Sequence, residues 1–195
     1  MKKLNTTIST LAMIFAAGGV NAADWQINNE QSKLSFISVK KGDIAEVHHF
    51  KKLTGQLSDA GEFSLTIALD SVDTAAEIRD ERMKEFLFDT ANYASATLTA
   101  QIDPALVNDL AVGSSTTATV EAELSLHGQI QTLTFDTVIS KLSDTELLVV
   151  SAKPVLLNAD DYQLAEGIEK LKELAQLPTI SHAVPVSFYL SLNAQ

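Results

Sequence analysis

Phe63-Ser-Leu-Thr-Ile-Ala-Leu69 is the stretch that decides the fold. Apolar side chains at 63, 65, 67 and 69 alternate with small ones at 64, 66 and 68. Successive side chains of an extended strand point to opposite faces. This stretch therefore buries one face and leaves the other wet, as strands of antiparallel sheets do. The same pattern recurs on either side of it. Ala96, Leu98, Ala100 and Ile102 alternate with Thr97, Thr99 and Gln101. Val120, Ala122, Leu124 and Leu126 alternate with Glu121, Glu123 and Ser125, and Val186, Phe188, Leu190 and Leu192 with Ser187, Tyr189 and Ser191. Shorter candidates lie near residues 25–28, 33–39, 44–50, 52–58, 133–140 and 146–153. Ser58-Asp59-Ala60-Gly61, His127-Gly128-Gln129 and Ser143-Asp144 are turn signals between them. Eight or more such strands without β–α–β alternation predict a barrel or a sandwich. With no internal repeat and no Pro/Gly-rich linker, the expectation is a single, mainly β domain with two short helices.

The first helix is expected over Thr74–Phe88. Thr74-Ala-Ala-Glu77 has the spacing of a capping box, in which the Thr hydroxyl and the Glu carboxylate satisfy each other's backbone amides. Met83, Phe86 and Leu87 share its apolar face. The second is expected from about Asp161 to Leu174. Leu164, Ile168, Leu171 and Leu174 form its stripe, Asp160 or Asp161 its cap, and Pro178 lies just beyond it. Gly167 should weaken that helix by up to about 1 kcal/mol relative to alanine.

The N-terminus reads as a leader. Lys2 and Lys3 precede an apolar run over Leu11–Val20, and Val20-Asn21-Ala22 suits signal peptidase. The run is short of the roughly 20 apolar residues that span a bilayer. The expectation is cleavage after Ala22, a domain over 23–195 and a periplasmic location. Removing Lys2 and Lys3 takes the formal charge from −11 to −13. That surplus argues against nucleic-acid partners and against a membrane association held by charge. The chain has no cysteine, so an exported form gets no disulfides and its core must supply the stability. Thiol catalysis and thiolate metal sites are excluded with them.

Four stretches resemble the YceI-like family of exported bacterial proteins. They are Ser32-Lys33-Leu34-Ser35-Phe36; Phe50, Leu53 and Gly55; Ser71-Val72-Asp73-Thr74 followed four residues later by Arg79-Asp80; and Leu124-Ser125-Leu126-His127-Gly128. The third is the most specific, with Phe88 and Tyr93 near the expected aromatic positions. The resemblance covers Asp24 to Leu192. It implies an elongated, lipocalin-like antiparallel barrel flanked by helices, with a long apolar ligand, typically a polyisoprenoid or related lipid, in the lumen. His48 stands where the family more often has glycine and Arg82 where many members have histidine. Ala159 and Gln163 replace the usual Arg and Gly of a late Asn-Arg-x-Asp-Phe-Gly stretch. The chain is identified as a divergent member.

Phe36, Phe50, Phe63, Leu65, Ile67, Leu124, Leu126, Phe135 and Phe188 are the candidate ligand-binding positions on the inward face. Alternation specifies a buried face but not whether side chains or a ligand fill it. Glu46, His48 and Phe50 lie two apart on one strand face, with His49 on the other. His48 is thus either a contact for a ligand's polar head or part of a solvent-facing or hydrogen-bonded structural pair. Arg79, Asp80 and Arg82 are expected to anchor the first helix through charge-assisted hydrogen bonds. No metal site is expected. His48 and His49 diverge, His127 falls on a polar strand face, and His182 precedes the last strand. No nucleophile motif such as Gly-x-Ser-x-Gly occurs.

The leading expectation is a non-catalytic periplasmic binding protein with an apolar ligand, without cofactor or stable membrane insertion, and with a homodimer left open. The alternatives are a stress or interaction protein with a filled barrel and, less favoured, an enzyme acting on a lipid. The enzyme would gain ground if His48 and Glu46 stood beside a serine or a bound metal inside the lumen.

Overall fold

The structure is a computed structural model that describes residues 24–195, so the expected leader over 1–22 lies outside the described residues. The strands are β1 (Trp25–Ile27), β2 (Lys33–Lys40), β3 (Ile44–Phe50), β4 (Leu53–Leu57), β5 (Glu62–Ala68), β6 (Val72–Asp73), β7 (Ser95–Gln101), β8 (Ser115–Leu126), β9 (Gln129–Ser143), β10 (Glu146–Ser151), β11 (Val155–Asn158) and β12 (Ala183–Ala194). The helices are α1 (Glu77–Arg82), which runs into a π-helical turn at Met83–Leu87, α2 (Ala105–Asn108) and α3 (Ala165–Leu174).

Eight strands close into a ring in the order β1-β4-β5-β7-β8-β9-β10-β12, and β12 returns to β1. Every pairing is antiparallel. β12 is twelve residues long and serves two neighbours along one edge. Its C-terminal part holds β1, with Ile27 opposite Leu192, and its N-terminal part holds β2, with Phe36 opposite Val186. The β2–β3 hairpin thereby extends the wall at one end of the barrel, and β11 pairs β12 at that end. Alternation places Leu65 and Ile67 of β5 and Leu124 and Leu126 of β8 inward and buried. β8 and β9 are joined by a two-residue turn. His127 and Gly128 both take positive φ there, 50° and 75°, as a tight hairpin with right-handed twist requires.

The helical segments differ from expectation. The capping box does not form. Ala76, not Thr74, precedes the first turn of α1, and no side chain caps it. The Thr74 amide and hydroxyl instead donate to Asp80 Oδ1, at 2.8 and 2.6 Å. Asp80 thus takes the Thr74 amide that Glu77 would accept, and turns the Thr74 hydroxyl into a donor so that it no longer caps the helix. α3 starts at Ala165 rather than near Asp161, because a 3₁₀ turn over Ala159–Tyr162 and a positive φ of 55° at Gln163 interrupt the run. Leu164 precedes α3 without a side-chain cap, so neither Asp160 nor Asp161 serves. β6, α2 and β11 have too few residues to carry a period and were not expected.

Candidate binding cavity

The ring encloses a cavity of about 470 Å³. Small side chains on its wall, among them Ala96, Ala100, Ala159 and Ala175, leave the space that larger residues would fill. All ten sequence-derived candidates line it: Phe36, His48, Phe50, Phe63, Leu65, Ile67, Leu124, Leu126, Phe135 and Phe188. Phe36, Phe50 and Phe88 stack in series, with ring centroids 5.4 and 5.7 Å apart, and Phe135 meets Phe188 edge-on at 5.9 Å. Aromatic pairs at such separations contribute about 0.5–1.5 kcal/mol each beyond the area they bury.

The two ends differ. Trp25, Leu57 and Val107 are buried at the β1 and α2 end. Among the described residues, every charged one that reaches the cavity comes from β2, β3 or α1: Lys40, Glu46, Arg79 and Arg82. Lys40, Glu46 and Arg79 keep a quarter to a third of their side chains exposed, so this end is the mouth. Period two carries Lys40 and Ser38 there from Phe36, and Glu46 and His48 from Phe50.

At the mouth Glu46 Oε2 accepts from Lys40 at 2.7 Å and from Arg79 Nη1 at 2.6 Å. Arg79 Nη2 also donates to the Thr74 carbonyl at 2.6 Å. Arg79 thus ties α1 to β3, the anchoring expected of it, and also reaches the cavity, which was not expected. The hydrogen bond from Lys40, with Arg79 beside it, holds the Glu46 carboxyl below its ordinary value against the opposing effect of burial. Arg82 reaches the same wall, and its one hydrogen bond is a long one, 3.4 Å, to the Leu174 carbonyl.

His48 is only 2% exposed, so its face points inward rather than to solvent. Its Nε2 lies 2.8 Å from Ser38 Oγ, while Nδ1 has no partner among the described residues. Burial first, and the charge of Arg79 second, pull its pKa below the ordinary 6.5. Two further buried polar atoms lack partners: Arg79 Nε and the hydroxyl of Tyr162, whose pKa burial raises to about 12. Tyr162 was missed because its neighbours, Asp160 and Asp161, read as a helix cap.

The remaining histidines lie apart from the cavity. His49 faces outward, 3.9 Å from Asp73. His127 sits in the β8–β9 turn against Tyr93 rather than on a strand face, and His182 pairs with Asp160 at 2.7 Å. Among the described residues no three potential metal-ligating side chains converge.

Fold and cavity together define a lipocalin-like single domain: a closed antiparallel barrel with an apolar lumen and one polar mouth. The chain belongs to the YceI-like family, whose domain profile matches residues 25–192. A polyisoprenoid-binding domain from Saccharophagus degradans, implicated in plant cell wall breakdown, is 41% identical over 88% of this chain and 98% of that one, with a TM-score of 0.86. BcnA of Burkholderia cenocepacia shares the fold at 17% identity, over 85% of this chain and 98% of that one, with a TM-score of 0.67. The YCEI protein of Campylobacter jejuni shares it at 14% identity, over 76% and 84%, with a TM-score of 0.55. No curated protein matches.

Proposed function

We propose that this chain is an exported, non-catalytic binding protein that holds a long apolar molecule in the barrel lumen for sequestration or transport. The carrying observation is the cavity of about 470 Å³, predominantly apolar, with the charged side chains that line it among the described residues gathered at one end. Each buried CH₂ of an occupant contributes about 0.8 kcal/mol, so a polyisoprenoid, a quinone tail or an acyl chain binds through desolvation with few polar contacts. The relative from Saccharophagus degradans, a polyisoprenoid-binding domain, supports that ligand class at 41% identity. The ten cavity-lining candidates are the proposed contacts. Cleavage after Ala22 and a periplasmic location belong to the same reading, and N-terminal sequencing of the exported protein tests them. For the ligand, gently purified protein is extracted with organic solvent and the extract analysed by mass spectrometry. A lipid-like chain is expected. Protein that is repeatedly empty and takes up neither prenyl chains, quinones nor fatty-acyl chains would sink the proposal.

One observation favours a second reading, an enzyme acting on a lipid. Ser38 and His48 stand at hydrogen-bond distance inside the lumen, with Glu46 on the same strand face as His48. A serine nucleophile needs a base whose far nitrogen is held by a third group. His48 Nδ1 has no such partner, and Glu46 is engaged by Lys40 and Arg79. The geometry therefore favours binding. Covalent labelling of Ser38 by a long-chain alkyl fluorophosphonate, with loss of fluoride, would reverse that preference.

A further inference from the structure

The charge at the mouth runs against the charge of the molecule. The chain carries a formal −11, yet the charged side chains that reach the cavity are three cations, Lys40, Arg79 and Arg82, and one carboxylate, Glu46. Glu46 is shared by Lys40 and Arg79. Arg82 has no carboxylate partner among the described residues, and it is half-buried. A cation withdrawn from water without a counter-charge is costly. Two donors on residues that line the same cavity are also unspent among the described residues. Arg79 Nε–H is buried without an acceptor, and so is His48 Nδ1–H in the tautomer that accepts from Ser38 at Nε2. Unpartnered buried polar atoms are rare in native proteins. Of the three unpartnered buried atoms on residues that line the cavity, two belong to Arg79 and His48 of the mouth; the Tyr162 hydroxyl is the third.

We infer that the mouth is built to receive an anionic oxyacid head group, a carboxylate or a phosphate ester, on the end of the apolar chain. Arg82 supplies the charge, and Arg79 Nε–H and His48 Nδ1–H supply hydrogen bonds to the head's oxygens. Arg82 is then the residue that sets head-group preference. His48, neutral and already fixed by Ser38, orients the head without adding charge. The inference rests on the lumen-binding reading and narrows its ligand to acidic amphiphiles.

The test compares three probes of equal chain length, hexadecanoate, hexadecyl phosphate and hexadecanol, on delipidated protein at pH 8. Both anions are expected to bind at least about tenfold more tightly than the alcohol, the scale of one charge-assisted hydrogen bond. Arg82→Gln is expected to abolish that preference, and a cooperative thermal melt with the native circular-dichroism spectrum shows that the variant is folded. Arg82→Lys is expected to keep most of the preference. Tighter binding of the carboxylate would point to fatty acids, and tighter binding of the phosphate to alkyl or prenyl phosphates. Either result supports the shared chemistry. Equal affinity for alcohol and anions, or an anion preference that survives Arg82→Gln, overturns the inference and leaves lumen binding standing. Failure of all three probes overturns both.

Discussion

His48 shows what one inward histidine costs and does. Its folded pKa lies below 6.5, with burial as the main cause. Between that lower value and 6.5 the unfolded chain binds the proton and the folded chain does not, so stability rises with pH across this window. Acidification below pH 6.5 therefore erodes stability first through His48. Glu46, whose pKa is depressed below 4.5, adds a second loss only as the pH falls further. Thermal melts from pH 7.5 to pH 5 should show the melting temperature of the native protein falling, with a flatter profile for His48→Gln. Parallel profiles would show that another group is responsible. That His48 shares a strand face with Phe50 was legible in the sequence from period two, but which way that face points was not; its burial settles that. Its role was not legible either, because the hydrogen bond to Ser38 joins two strands whose register no single-strand pattern reveals.

At the scale of elements, strands proved more legible than helices, and Gly167 explains why. Helix propensity alone predicts that Gly167→Ala stabilises α3 by up to about 1 kcal/mol. The structure reverses the sign. A Cβ at 167 would stand 2.5 Å from the Phe86 carbonyl oxygen and 2.8 Å from Leu87 Cα. Both belong to the π-helical turn that α3 packs against, so the obstacle is backbone rather than a pliable side chain. Gly167→Ala is expected to cost about 1–3 kcal/mol, the usual penalty for overpacking, readable as a lower midpoint in urea. An unchanged or higher midpoint would show that α3 lifts off the π turn without penalty. The capping box at Thr74–Glu77 failed for a related reason. Asp80, six residues beyond Thr74, closes the loop by a contact that local spacing rules do not include.

For the whole molecule, alternation allows a barrel or a sandwich and the return of β12 to β1 makes it a barrel, while hollowness depends on where small side chains fall along eight strands at once. Ala100 on β7 is such a position, opposite Phe63 on β5 and Ala122 on β8, toward the end away from the mouth. Ala100→Trp should shorten the lumen without blocking its entrance. Displacing two methylenes costs about 1.6 kcal/mol, somewhat more than tenfold in affinity. Long-chain ligands should therefore lose at least that much while chains of eight to ten carbons bind as before. Equal losses for long and short chains would mean that the far half of the cavity is not used.

The seam that closes the ring is formed by its outermost strands, with Trp25 opposite Ala194 and the Gln195 amide donating to the Asp24 carbonyl at 2.9 Å. β12 runs from the mouth at Ala183 to this seam at Ala194. At about 3.3 Å per residue the two points lie roughly 35 Å apart. A support, dye or fusion partner coupled at Gln195 would thus hang from the closed base, with the entrance facing open solution. The same cargo coupled at Lys41, exposed at the tip of the β2–β3 hairpin, would sit over the doorway. Beads loaded in the first orientation should capture ligand as fast as free protein, and beads loaded in the second more slowly.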